Sequence, residues 1–332
     1  MDILTNKIYD SRVYYVNKNK KFKSDSEIPV EISSMNIKSK YRPFLWLLVD
    51  ILFIIVLFNI PEIKHPLLGA FIITHIYAIC IATMVMFTGL GAGVLWFPYF
   101  TLIGCSPSES VTLSLLTQMA GKGSGSFQYL IDQMIDWKVV KAFIPYAIVG
   151  VLIGYMAGFV LSKKNENWLL LIFIIVVLYL IFTMIRSFNE QSVNPTHKPK
   201  YELLEKSGSV VMSSSFFTGL LSIGNSDWLI PYMIRVLKMP NSRAVATSIF
   251  IMFSVTVFFL FLTIGSIFLE IRYLPHLMPI LWATCSGVVV GGQIGTRLVK
   301  VKIFQKYQLH AFIMMLIISE LHMIWKFLSN CC

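Results

Sequence analysis

Long apolar runs separated by short polar or Gly/Pro-rich segments dominate the chain, and most reach the roughly 18 residues a helix needs to cross a hydrocarbon layer about 30 Å thick. The first run, residues 44–60, is interrupted only by Asp50, and the short turn 61–66, bounded by prolines, reverses the chain. A second run covers 67–87. It leads into Gly89, Gly91, Gly93 and Pro98, a stretch too short and too rich in helix breakers to cross as a regular helix. Such backbone is tolerated at membrane depth only where protein or a wet cavity satisfies its polar groups. Further spans are predicted over 108–131, 139–161 and 168–186, and a polar linker, 188–207, with Pro195, Pro199 and six charged residues, follows.

The layout then recurs. Residues 208–223 are apolar, Gly224, Asn225, Ser226, Asp227 and Pro231 interrupt the pattern, and spans follow at 241–264, 274–299 and 309–328. A shift of 133 residues places Gly91 on Gly224, Pro98 on Pro231, Tyr99 on Tyr232, Pro107 on Pro240 and Ser114 on Thr247. A shift of 137 places Gly150, Gly154 and Gly158 on Gly287, Gly291 and Gly295, a small-residue stripe at helical spacing suited to close helix contact. The fold class expected is therefore all-α: a polytopic transmembrane bundle with an internal repeat (67–187 and 208–328), two broken or re-entrant Gly/Pro segments, an extra helix at 44–60, and a basic tail at 1–43.

Composition narrows the classes. Apolar residues make up 56% of the 332 and charged residues 14%, against about 45–50% and 25% in ordinary soluble domains, which excludes a water-soluble enzyme. The net charge of +11 sits in tails and loops, where it reads as an orientation signal rather than a nucleic-acid footprint. The tail carries Lys7, Arg12, Lys18, Lys20 and further basic residues with no apolar core before Phe44, so it reads as a disordered cytosolic segment rather than a cleavable signal. With re-entrant breaks the chain has nine spans, an inside N-terminus and parallel halves. With breaks that cross fully, the halves have five spans each and are inverted. No nucleotide-binding loop, spaced metal motif, disulfide framework or nucleophile-base constellation is visible, so neither a cofactor nor catalysis is expected.

The segment Phe87-Thr88-Gly89-Leu90-Gly91-Ala92-Gly93, followed by Pro98, Gly104, Pro107 and a Ser/Thr-rich helix, resembles the first signature of the sulfite exporter TauE/SafE family. The second copy, Phe217-Thr218-Gly219 through Gly224 to Pro231, then Pro240, Ala244-Val245-Ala246-Thr247-Ser248 and Gly291-Gly292-Gln293-Ile294-Gly295-Thr296-Arg297, is more similar still, and the likeness covers 67–328. The resemblance implies a secondary transporter of small anions, typically sulfite or organosulfonates. The family's glycine triplet is thinned to Gly-Ala-Gly in the first copy and replaced by Gly-Asn-Ser-Asp in the second, which bears on substrate more than on class.

Broken helices at a repeat interface expose backbone N–H groups, and a helix start carries partial positive charge, so an oxyanion can be held there without a cage of full charges. The predicted substrate site therefore combines Gly89, Gly91, Gly93 and Pro98 with Gly224, Asn225, Ser226 and Pro231, plus Ser114, Gln118, Lys122, Thr247 and Ser248 from the following helices. The competing reading of any one glycine is a packing turn. Ser114, Gln118, Lys122, Ser126 and Tyr129 form one polar stripe, and Lys122 reads either as a substrate cation or as a snorkelling interfacial residue. Asp227, the acid of the breaks, is the proton-coupling residue, a partner of Lys122, or an N-cap for a helix beginning near Trp228. Asp50, His75, Glu320 and His322 read as local polar contacts or interface residues. The expected partners are a small anion, co-transported protons and the lipid bilayer, in the plasma membrane or an internal one. The alternative is a transport-inactive membrane scaffold or trafficking protein of the same fold.

Overall fold

The computed structural model describes residues 66–89, 91–188, 199–268, 278–298 and 302–331. The expected basic tail at 1–43 and the helix at 44–60 lie outside the described residues. Ten α-helices are described, with no strand among them: α1 Pro66–Thr88, α2 Gly93–Leu102, α3 Pro107–Ile131, α4 Trp137–Lys164, α5 Asn167–Phe188, α6 Gly208–Leu221, α7 Ser226–Arg235, α8 Asn241–Phe268, α9 Met278–Leu298 and α10 Lys302–Cys331. Two 3-10 turns, Tyr201–Leu203 and Glu205–Ser207, precede α6.

Among the described residues, five helical stretches are long and apolar enough to cross a membrane: Trp137–Lys164, Asn167–Ile185, Asn241–Gly265, Met278–Arg297 and Phe312–Ser329. The chain is thus an integral membrane protein. Helix α1, with 23 residues, is long enough for a crossing at about 1.5 Å per residue. Two other predicted spans depart from that description. Helix α6 has 14 residues and at 1.5 Å per residue is about 21 Å long, short of a full crossing. Helix α3 has 25 residues, but its Ser, Gly, Gln and Lys content keeps it out of the apolar set.

Local sequence explains where the helices begin. Ser106 caps α3 in a reciprocal box: its hydroxyl accepts the Glu109 N–H at 3.3 Å while Glu109 Oε2 accepts the Ser106 N–H at 2.8 Å, with Pro107 at the first helical position. Asp136 caps α4 by accepting the N–H groups of Lys138 and Val139. Its other oxygen accepts the Tyr201 hydroxyl at 2.7 Å, which docks the 3-10 turns onto the bundle. Burial and this acidic neighbour push the Tyr201 phenol up to about 12.

The glycine stripes direct the packing. Gly150, Gly154 and Gly158 of α4 lie against Met212, Phe216 and Leu220 of α6, with a backbone carbonyl of α6 facing each glycine. Gly287, Gly291 and Gly295 of α9 receive the carbonyls of His75, Ile79 and Thr83 of α1 in the same way. Each stripe is a groove without side chains, so backbones approach closely and gain dispersion contacts that any Cβ would block. Helices α1 and α6, each followed by a chain break, are thus seated in grooves contributed by α9 and α4. Helices α3 and α8 also pack on each other. Beside them, Trp96, Phe97 and Phe100 of α2 are fully buried, with Phe97 stacked on Phe173 of α5 at 4.4 Å.

Candidate functional site: the crossing of two chain breaks

Helix α1 ends where Gly89 takes φ +76°, and its N–H closes on the Val85 carbonyl at 2.8 Å. Helix α6 ends at Ser222, φ +59°, with its N–H on the Thr218 carbonyl at 2.9 Å. Both are left-handed helix stops, the second made with a residue that has a Cβ. The next helices start alike. Ala92 (φ −68°, ψ −21°) and Asn225 (φ −58°, ψ −21°) occupy the N-cap positions, and neither supplies a side-chain cap. The first-turn amides of α2 and α7 therefore depend on other groups, as unpartnered helix starts do.

The two breaks touch. A Cβ on Gly91 would stand 2.7 Å from both Cα and N of Gly224 and would fall on the Asp227 carboxylate, and one on Gly224 would stand 2.5 Å from Gly91 Cα. A Cβ on Gly93 would overlap the Ser222 carbonyl. Here glycine is required for close approach. Asp227 Oδ1 accepts the Gly91 N–H at 2.5 Å, tying one break to the other. From α3, Gln118 Nε2 donates to the Ser222 carbonyl at 3.0 Å and to Ser114 Oγ at 3.2 Å, and the Ser222 hydroxyl donates to Ser114 Oγ at 2.7 Å.

Lys122 reaches the same place. It is 1% exposed, and a Cβ on Gly224 would stand 3.4 Å from its Nζ and 3.1 Å from Ser226 Oγ. The snorkelling reading is therefore corrected: the ammonium turns inward. It makes no hydrogen bond to Asp227 or to any other described group, although the two charges lie near enough to stabilise each other. Asp227 is 4% exposed with Oδ2 unpartnered. Gln118 Oε1, Asn225 Oδ1, Ser226 Oγ, Ser126 Oγ and Ser248 Oγ are also buried without partners. A lysine at the centre of a membrane helix costs about 2.5–3.5 kcal/mol on insertion scales. Stability alone does not account for such a surplus of unsatisfied groups.

Not every predicted residue joins this set. Gly89 is at the break, but its amide is already bonded to Val85, so it stops a helix and has no donor left for a ligand. Pro98 and Pro231 lie inside α2 and α7 rather than at the breaks. Thr247 is committed elsewhere, its hydroxyl accepting the Asp136 N–H at 3.0 Å at the start of α4. Asp227 is not an N-cap, because α7 begins one residue before it at Ser226. The sequence reading bounds the second break at Ser222 without counting it among the substrate-binding residues. The 133-residue shift places it on Gly89, a usable signal that the change of residue type conceals. His75 is the local contact expected, its Nδ1 within 3.2 Å of the Ala283 carbonyl and 3.0 Å of Ser286 Oγ. Glu320 is not: it is buried with neither oxygen bonded.

Residues 91–98 and 221–227 are all buried, so the crossing is closed to the surface. A groove lined by Ser108, Val111, Tyr155, Gly158, Leu169 and Leu220 includes none of the crossing residues. The family model described as "Sulfite exporter TauE/SafE" matches residues 75–323, a range that contains both breaks. Comparison with curated proteins and with solved structures gives no match.

Proposed function

The chain belongs to the sulfite exporter TauE/SafE family of membrane transporters, and we propose that it moves a small anion, sulfite or an organosulfonate or organic anion, by alternating access around the crossed breaks. The observation that carries this reading is the meeting of Gly91 with Gly224, an unpartnered Lys122 ammonium beside them, and the Asp227 carboxylate on the Gly91 amide.

Asp227 sits where an anionic substrate would be held. Its carboxylate takes a backbone N–H just ahead of α2 and lies in the field of Lys122, two of the interactions an oxyanion seeks. Substrate entry then displaces Asp227 from Gly91. A proton on Asp227 favours that exchange, since it removes the carboxylate's claim on Lys122 and leaves the ammonium to the incoming anion. Anion and proton movement are coupled on this scheme. Gln118, Asn225 and Ser226 supply neutral polar groups, and Ser248 a further hydroxyl. Gly91, Gly93 and Gly224 supply close backbone approach.

Two repeats, 67–187 and 208–328, are proposed as the moving units. Supporting this are the matched stops at Gly89 and Ser222 and the matched starts at Ala92 and Asn225. So is the exchange of α1 and α6 between the α9 and α4 grooves. Helices seated without interlocking side chains suit rigid rocking of one unit on the other. The N-terminus is proposed to be cytosolic, on the positive-inside count.

The test is radiolabelled sulfite flux into liposomes containing the full chain, with and without a pH gradient. Saturable flux is expected, lost in Lys122→Ala and no longer stimulated by the gradient in Asp227→Asn. No flux of sulfite or of any of a panel of sulfonates and carboxylates would overturn the reading in favour of a transport-inactive scaffold.

A further inference from the structure

Helix α10 carries a second buried acid, away from the crossing. Glu320 lies within the apolar segment Phe312–Ser329 of α10, where an ionised side chain is costly. It is 3% exposed, and neither Oε1 nor Oε2 has a hydrogen-bond partner. Spacing shows the side it takes. Phe312, Leu316, Glu320 and Met323 are the buried positions of one stripe, and its apolar members join a cluster with Phe97 and Phe100 of α2 and Phe173 and Val177 of α5. The carboxyl group therefore interrupts a hydrophobic face.

No described group neutralises it by contact. On the helices packed against α10, the ionisable side chains described are Tyr99 of α2, bonded to Thr74; Tyr179 of α5, exposed; and His75, Tyr77 and Cys80 of α1, of which His75 is bonded to α9. On α10 itself, Lys326 Nζ donates to the Thr101 carbonyl and His322 is half-buried with Nε2 unpartnered. A carboxyl group with no donor among the described residues, set in the apolar face of a membrane-crossing helix, is far less costly neutral than ionised.

We propose that Glu320 is a membrane-embedded proton-binding site, loaded in the closed conformation seen here and separate from the anion site. Binding is simple protonation: the carboxylate takes one proton from water when its face is wet and returns it on the other side. The route to the crossing runs through α2. Thr101, at the end of α2, donates its hydroxyl to the Pro98 carbonyl at 2.8 Å and lies with that oxygen 3.3 Å from Met323 Sδ, next to Glu320 on the stripe, and α2 begins at Gly93, against the Ser222 carbonyl. Ionising Glu320 makes the packing of α10 on α2 unfavourable, and a shift of α2 moves Gly93 and Gly91. The part of this proposal that makes Glu320 a coupling site rests on the transport function above. The part that makes it a protonated acid does not.

Infrared spectroscopy of the full chain in liposomes, at a series of pH values, reads the acid directly through the carbonyl band of an undissociated carboxylic acid. At neutral pH that band is expected to lose a component in Glu320→Gln. Glu320→Met, of similar length, gives the same loss should the glutamine variant insert poorly. Superimposable native and variant spectra would overturn the site. In the flux assay, the ratio of sulfite uptake with a pH gradient to uptake without one is expected to fall to unity in Glu320→Gln; a ratio equal to the native one overturns the coupling role. If the native chain moves no anion, the transporter reading fails with the coupling role, while the infrared comparison still decides the proton site.

Discussion

The two breaks follow one backbone path with different side chains. Gly89 and Ser222 both stop a helix in the left-handed region, and Ala92 and Asn225 start the next with nearly equal dihedrals. Even the turn bonds correspond: Leu95 and Trp96 donate to the Ala92 carbonyl, and Trp228 and Leu229 to that of Asn225. Yet the first break reads Gly-Ala-Gly-Val from Gly91, and the second reads Gly-Asn-Ser-Asp from Gly224. The helix stops and starts thus take the same dihedrals with and without polar side chains of their own, although the Gly91 amide of the first is held by Asp227 of the second. The amide, hydroxyl and carboxylate of the second are additions to a working scaffold, and three of their atoms remain unsatisfied. Groups that the fold does not use, held where burial makes them costly, are the ones to assign to a ligand.

Substitutions that exchange features between the breaks probe this contrast. The largest effect is expected for Gly93→Ala, which gives the first break a side chain where the second has Ser226. Its methyl group would overlap the Ser222 backbone carbonyl, a clash that side-chain movement cannot relieve, costing more than about 4 kcal/mol. Loss of the monodisperse folded peak in size-exclusion chromatography checks it; a native melting temperature would show that the breaks are not in contact. Next comes moving the acid, Val94→Asp with Asp227→Val. Lys122 lies beside Gly224, and its counterpart on α8 is Val255, so the new carboxylate lacks a cation. A destabilisation of about 3 kcal/mol is expected, as for a buried charge left unpaired, together with loss of flux. Flux near the native rate would mean that the two breaks are interchangeable.

Lys122→Met combined with Asp227→Asn separates binding from folding. Removing both buried charges together is expected to leave melting unchanged or raise it, while anion flux falls at least tenfold, roughly 1.4 kcal/mol of lost interaction. A fall in both would make the pair structural. The smallest effect concerns the stops. Ser222→Gly is expected to be more stable than Ser222→Ala by about 1 kcal/mol, because both lose the hydroxyl but only alanine keeps the left-handed strain. The reverse exchange, Gly89→Ser, is expected to cost more, since its Cβ would meet Val245 at 2.7 Å and Ile230 at 2.9 Å. Thermal melts of the three variants rank them.

Much of this was legible along the chain because it is local. Apolar runs predicted the long helices, the Gly/Pro clusters predicted where α1 and α6 stop, and the Gly150 and Gly287 stripes predicted close helix contacts. What the pattern along the chain does not give is partnership. Thr247 matches Ser114 by position, yet one hydroxyl turns to the α4 cap and the other to Ser222. Gly89 matches the family signature, yet its amide belongs to its own helix. Glu320 looked like an interface residue because nothing in the pattern of α10 says what faces it.

Hydropathy and helix breakers were enough to specify an all-helical membrane protein, since each depends on residues a few positions apart. Only the tertiary structure decided that Gly91 lies on Gly224, that Asp227 reaches across 136 positions to the Gly91 amide, and that Lys122 turns inward without a hydrogen-bond partner among the described residues. Those outcomes depend on how separate helices meet, because a buried charge is stabilised or stranded by the neighbours that packing brings to it, and its own segment does not name them.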